Sequence, residues 1–228
     1  MNTLDLTLGQ IVQKIPGSTA VFSHYQLDYC RDGNKTLQEA ARQHELNVDN
    51  LINAFENLAE NNAAFDQNCA EATDDVLIKH IVSRYHDIHR QQLPELIRLA
   101  QRVEQVHGEH PRCPKGLSTH LEKMQSEMDI HMHKEEQVLF PMIIQGTHEM
   151  IAGPIAMMRH EHEEHTTALA ELDIIADHIQ LPEDACNTWH ALYTGLITFK
   201  ADLLDHIDLE NNILFQRIDS LNKDVHHG

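Results

Sequence analysis

Apolar residues recur along most of the chain at spacings of three and four, the period of amphipathic helices, and no stretch alternates as a useful strand would. In the first 68 residues this period runs through LGQIVQKI, TAVFSHY and VDNLINAFENLAE, with Asp32-Gly33-Asn34 as a turn signal. The stretch NNAAFDQNCAEATDD is polar and aperiodic and reads as a linker. Thr73, Asp74 and Asp75 then supply a cap and an acidic first turn. From there the pattern predicts four long helices over about 74–107, 115–145, 152–179 and 183–221. The breaks between them carry Pro, Gly or both. The expected fold is all-α: an antiparallel four-helix bundle (69–228) preceded by a small N-terminal helical domain (1–68).

The four helices form an internal repeat. His131, Glu135, Leu139 and Phe140 match His206, Glu210, Leu214 and Phe215 at an offset of 75. His86, His89, Leu93, Glu95 and Leu96 match His162, His165, Leu169, Glu171 and Leu172 at an offset of 76. The bundle is thus two copies of a hairpin, each bringing one HxxH helix and one HxxxE helix.

A 3–4 seam predicts which positions face the core. It runs through Leu121, Met124, Met128, His131, Glu135, Val138 and Met142 on the second helix. On the fourth it runs through Leu192, Leu196, Phe199, Leu203, His206, Glu210 and Ile213. The first helix contributes Val82, His86, His89, Leu93, Leu96, Ala100 and Val103. The third contributes Ile155, Met158, His162, His165, Leu169, Leu172, Ala176 and Ile179. Every seam is apolar except at one shared layer of histidine and glutamate. Two glutamates buried there would cost several kcal/mol each if uncompensated, and they would repel one another. No lysine or arginine falls in the layer, so a metal cation is the expected partner. An i, i+4 His–Glu pair presents both side chains on one helix face. Two such pairs plus histidines from the other two helices make a dinuclear set of four histidines and two glutamates. Nitrogen and oxygen donors without sulfur favour iron or manganese over structural zinc. The spacing leaves open whether His86 or His89, and His162 or His165, is the ligand. The unused histidine of each pair is expected to hydrogen-bond behind it.

Charge changes what else the protein can do. There are 17 Lys plus Arg against 36 Asp plus Glu, a net charge of −19, with 19 histidines besides. So acidic a surface repels phosphate backbones, and no nucleic-acid partner is expected. No apolar run is long enough for a membrane span, and the start MNTLDLTLGQIVQKIPG lacks the pattern of a secretory signal. Cys30, Cys69, Cys113 and Cys186 form no CxxC unit. The expectation is a cytoplasmic protein with reduced thiols. Cys30, in the turn-like LDYCRDGNKT, is the candidate for exposed thiol chemistry. Of the remaining histidines, His44, His107, His110, His120, His148, His178, His190, His226 and His227 are expected to be solvated or in loops.

At LDYCRDGNKTL, HIVSRYHDIHRQQLPEL, HMHKEEQVLFPMI, MMRHEHEEH and LLDHIDLENNILF the chain resembles the iron–sulfur cluster repair di-iron proteins, the Repair of Iron Centres family of YtfE/ScdA type. The resemblance spans essentially the whole length. It implies a hemerythrin-like bundle whose metal ligands are His86, His131, Glu135, His162, His206 and Glu210. It also implies two iron ions bridged by the carboxylates of Glu135 and Glu210, and oxo-bridged when oxidised. On the same ground the protein is expected to be stress-induced and homodimeric. It would repair clusters damaged by nitrosative or oxidative stress by supplying iron to the damaged proteins. Nitric oxide reduction to nitrous oxide, and hemerythrin-like binding of oxygen or nitric oxide, are the alternatives. Glu127 and Glu161, just before the metal layer, are candidates for lining a path of iron release. The family's paired cysteines are not matched, since Arg31 follows Cys30.

Overall fold

The computed structural model describes residues 3–15, 18, 21–22, 25, 27, 29–68, 72–147 and 150–225. The candidate thiol Cys30 falls in a short helix, but its side chain lies outside the described set, as do residues His24, Cys69, His148, His226 and His227. Among the described residues the structure is helical, and the one β-bridge joins Thr7 to Thr36.

The N-terminal part contains α1 (Leu8–Lys14), α2 (Tyr29–Asp32), α3 (Leu37–Gln43) and α4 (Val48–Asn68). Thr7 and Thr36 each start a helix with a capping box, closed by Gln10 and Glu39. The two starts are tied together, with Leu8 N donating to Lys35 O and Leu37 N donating to Leu6 O, both at 2.9 Å. Gly33 is required here, because a Cβ would sit 2.7 Å from Tyr29 O. Leu8, Ile11, Phe22, Leu37, Leu51 and Phe55 form a core of their own. Helices α1 and α2 rest on the fourth bundle helix. The polar stretch read as a linker is in part helix: α4 continues to Asn68. A run without apolar periodicity still propagates a helix nucleated by the preceding amphipathic turns.

The first bundle helix comprises α5 (Asp74–Ile81), a π-helical turn π1 (Val82–His86) and α6 (Asp87–His107). The second comprises α7 (Leu117–Lys134), π2 (Glu135–Leu139) and α8 (Phe140–Ile144). The third is α9 (Ala152–Ile175). The fourth comprises α10 (Asn187–Leu209), π3 (Glu210–Leu214) and α11 (Phe215–Val225). The first helix packs on the second and fourth, and the third packs on the same two. Gly195 lets the first and fourth approach closely, since a Cβ there would meet Leu96 Cδ2 at 2.7 Å.

The π turns correct the predicted seam. Each is closed by an i+5 bond: Asp87 N to Val82 O, Phe140 N to Glu135 O, and Phe215 N to Glu210 O. The extra residue rotates the rest of the helix about its axis. Val138 is therefore 51% exposed, while Leu139 and Phe140 are buried. Ile213 yields likewise to Leu214 and Phe215, and Val82 yields to Ile81 and Tyr85. The third helix has no π turn and keeps its seam buried from Ile155 through Ala176. It ends at Ile175 rather than 179, because Asp177, His178 and Ile179 turn into positive φ. The fourth starts at Asn187 rather than 183.

The bundle core is two apolar clusters rather than one. One holds Leu93, Leu121, Met128, Leu169, Leu196 and Leu203 with their neighbours. The other holds Leu77, Ile81, Leu139, Ile155, Leu214 and Phe215 with theirs. The histidine–glutamate layer lies between them.

Candidate metal centre

Each π turn carries a residue of the polar layer at one end: His86 ends π1, Glu135 begins π2 and Glu210 begins π3. The i+4 step from His131 to Glu135 and from His206 to Glu210 puts each pair on one face. His131 Nε2 lies 3.3 Å from Glu135 Oε1, and His206 Nε2 lies 3.2 Å from Glu210 Oε1. His86 Nε2 reaches Glu135 Oε2 at 3.4 Å, and His162 Nε2 reaches Glu210 Oε2 at 3.1 Å. The result is two quartets that share both glutamates: His86, His206, Glu135 and Glu210, and His131, His162, Glu135 and Glu210. Within each, the donor atoms lie within 4.8 Å of one another. All six residues are buried.

The chemistry of this cage is that of a cation site. The four carboxylate oxygens of Glu135 and Glu210 are buried and have no hydrogen-bond donor. His86 Nδ1–H donates to Glu136 Oε1 and His131 Nδ1–H to Glu161 Oε2, both at 2.8 Å. His162 Nδ1–H donates to Asn211 Oδ1 at 3.0 Å. These outward bonds fix the tautomers and aim the Nε2 lone pairs inward. Nε2 atoms then face each other at 3.1 Å in both His86–His206 and His131–His162. Lone pairs and carboxylates converging with no donor between them are stable only around positive charge. Without a metal that charge is protons. Burial depresses His86 and His131, yet Glu135 with its neighbouring carboxylates outweighs it and pushes both up to about 9. Burial holds His206 below its ordinary value. Glu135 and Glu210 stay below theirs despite burial, because the histidines favour their charged forms.

Aromatic rings brace the cage. Phe140 stacks on His86 and Phe215 on His162, with centroids 5.8 and 6.0 Å apart. Tyr85 stacks on His206 at 5.2 Å. His89 and His165 are buried beside the cage, 5.5 Å from His206 and 4.9 Å from His131, outside the two quartets. Burial keeps His89 well below its ordinary value and drives His165 down to about 3, so both are neutral. His89 Nδ1 meets Gln92 Oε1 at 3.3 Å, whereas each ring's Nε2 has no partner.

Of the two acids expected to line a path, Glu161 touches the site through His131 and is held by Lys134. Glu127 does not reach it: the side chain is 46% exposed and lies 3.7 Å from Lys123. Glu136 and Asn211, which hold His86 and His162 from behind, are residues of the candidate centre that the seam does not reveal. Their signal is the repeat itself, since each follows a shared glutamate at the same offset of 75. Arg90 steadies Glu136 at 2.7 Å, and the hydrogen bond from His86 holds that carboxyl down to about 2. The expectation of a solvated His120 is also corrected: the ring is buried, with Nε2 2.8 Å from Ala168 O. No helix among the described residues is long and apolar enough to cross a membrane.

The family described as hemerythrin HHE cation binding domain matches residues 77–218. ScdA_N, described as a domain of unknown function (DUF542), matches residues 4–59. The chain is 44% identical over 218 residues to the iron-sulfur cluster repair protein YtfE of Yersinia pseudotuberculosis, covering 95% of this chain and 98% of that one. It is 42% identical over 213 residues to the protein of the same name in Salmonella paratyphi B, covering 93% and 96%.

Proposed function

Starting from a chain that belongs to the YtfE-type iron–sulfur cluster repair proteins and carries their iron-binding hemerythrin-type domain, we propose that it repairs damaged iron–sulfur clusters by supplying iron from a two-ion centre. One observation carries the reading. Two pairs of imidazoles share two buried carboxylates that have no other partner. His86 and His206 would hold one ion, His131 and His162 the other, and Glu135 and Glu210 would bridge both. Iron there would be both redox-active and the cargo. The chain's residues aim the imidazole Nε2 atoms inward, hold the carboxylates ionised and set the layer between two apolar clusters. The recipients are damaged iron–sulfur proteins, met under nitrosative or oxidative stress.

The test is to incubate the iron-loaded chain, without oxygen, with an apo or nitrosylated cluster enzyme. Recovery of that enzyme's activity is expected. No recovery with two irons per chain confirmed at the start overturns iron supply.

A second reading is nitric oxide reduction. Each quartet offers an ion only four protein residues, so two neighbouring ions keep positions for two small ligands. Nitrous oxide above the diferrous protein would support it, and none beyond the buffer control rejects it.

A further inference from the structure

The two quartets are alike in donors and unlike in access. In each, one imidazole is backed by a carboxylate: His86 by Glu136 and His131 by Glu161. The other is not, for His162 has the neutral amide of Asn211 and His206 Nδ1 has no acceptor. Donor strength therefore does not rank the two positions.

Access does. A groove of about 710 Å³ runs between the third and fourth bundle helices, lined by Arg159, His162, Thr166, Asn211 and Asp219 among others. His162 alone of the six ligand residues lines it, and Asn211 belongs both to the groove and to the bond that holds His162. The repeat shows a further difference outside the groove, where the first helix meets the fourth and the third meets the second. Around His206, Arg84 and Asp202 form a buried ion pair at 2.7 Å, and Gln92 closes on the same carboxylate at 2.7 Å. The positions equivalent to Arg84 and Asp202 are His160 and Glu127, at offsets of 76 and 75. Their side chains are 68% and 46% exposed. Likewise Glu136, the equivalent of Asn211, is covered by Arg90, whereas Asn211 meets the groove.

We propose that the ion between His131 and His162 is the exchangeable one, that the groove between the third and fourth bundle helices is its mouth, and that Asn211 is the positioning residue that keeps this ion loosely held. The proposal rests on the reading of a two-iron centre that supplies iron. Within its own quartet, an amide in place of a carboxylate leaves His162 a weaker donor than His131, and His162 is the one that meets the groove. The ion between His86 and His206 stays as the anchor of the fold.

The experiment is stopped-flow release of iron from the full-length diferrous protein to a coloured ferrous chelator, without oxygen. Two phases of one iron each are expected. Asn211→Asp places a carboxylate behind His162 and slows the fast phase about 10-fold or more, the scale of such outer-shell partners. Asn211→Leu removes the acceptor and speeds the same phase. Opposite directions from two changes at one residue are not a folding defect, and circular dichroism with iron analysis on each variant confirms the fold and the loading. Thr166→Trp, one turn beyond His162, fills the groove and slows the fast phase while leaving the slow phase alone. Release of both irons in a single phase overturns the proposal, as does a fast phase unmoved by Asn211→Asp and Thr166→Trp. A chain that loads fewer than two irons overturns the two-ion reading and the proposal with it, whereas two irons released in one phase overturn the proposal alone.

Discussion

Tyr85 lies flat on the ring of His206, with planes 7° apart and centroids at 5.2 Å, at the position where the other half of the repeat has Glu161. Glu161 takes a hydrogen bond from the edge of its histidine, while Tyr85 covers the face of the other. The π turn through Val82–His86 accounts for the difference, because the third helix has none and presents position 161 in ordinary α register. Tyr85→Ala should cost about 3–5 kcal/mol through the cavity it leaves. It should also free the His206 ring to rotate. Thermal melts of the iron-loaded variant are expected to show the loss, and iron analysis a lower content per chain.

Removing either shared carboxylate should dismantle both quartets at once. Glu135→Ala and Glu210→Ala are each expected to lower bound iron by more than one ion per chain. Single-histidine variants His86→Ala and His162→Ala should lose about one. Iron analysis against a circular dichroism control checks this, and equal losses from glutamate and histidine variants would contradict shared ligation.

The metal-free protein should be most stable at mildly acidic pH. His86 and His131 are raised from 6.5 to about 9, so the stability they contribute is fully present below pH 6.5 and lost as pH rises through 9. Melting temperature of the metal-free chain should therefore fall across pH 6.5–9. The iron-loaded chain, in which metal replaces those protons, should show a much smaller slope over that window. Loading in weak buffer near pH 7.5 should release protons, measurable with an indicator dye.

The buried pair of Arg84 and Asp202 should be costly to break from one side. Asp202→Asn or Arg84→Met alone is expected to destabilise by about 3–5 kcal/mol, because the remaining charge is left buried. The double variant Arg84→Met with Asp202→Leu should recover most of that in denaturant titrations.

Much of this centre is legible in the chain, and the reason is duplication. One HxxxE is ordinary on a helix surface, but His131–Glu135 and His206–Glu210 share an offset and a place in the apolar seam. Choosing His86 over His89 and His162 over His165 needs the family resemblance, since both members of each pair are buried. The π turns are hidden because a strict 3–4 count assumes an unbroken α-helix. The trace of π2 and π3 is the Leu-Phe pair four and five residues after each glutamate, which keeps the core only if a residue is inserted, whereas π1 leaves no such mark. Helix α4 past residue 60 lacks apolar periodicity, so its extension leaves no mark in the pattern.

The charged layer separates the two apolar clusters of the bundle instead of joining them. With metal bound, six side chains from all four helices clamp the halves into one cooperative unit. Emptied, the layer is expected to hold the halves together less tightly, most of all at alkaline pH where His86 and His131 lose their protons. Amide protons on either side should then exchange at separate rates. Loss of the metal would then show in the mechanics of the bundle, as local opening on either side of the layer, and not only at the metal itself.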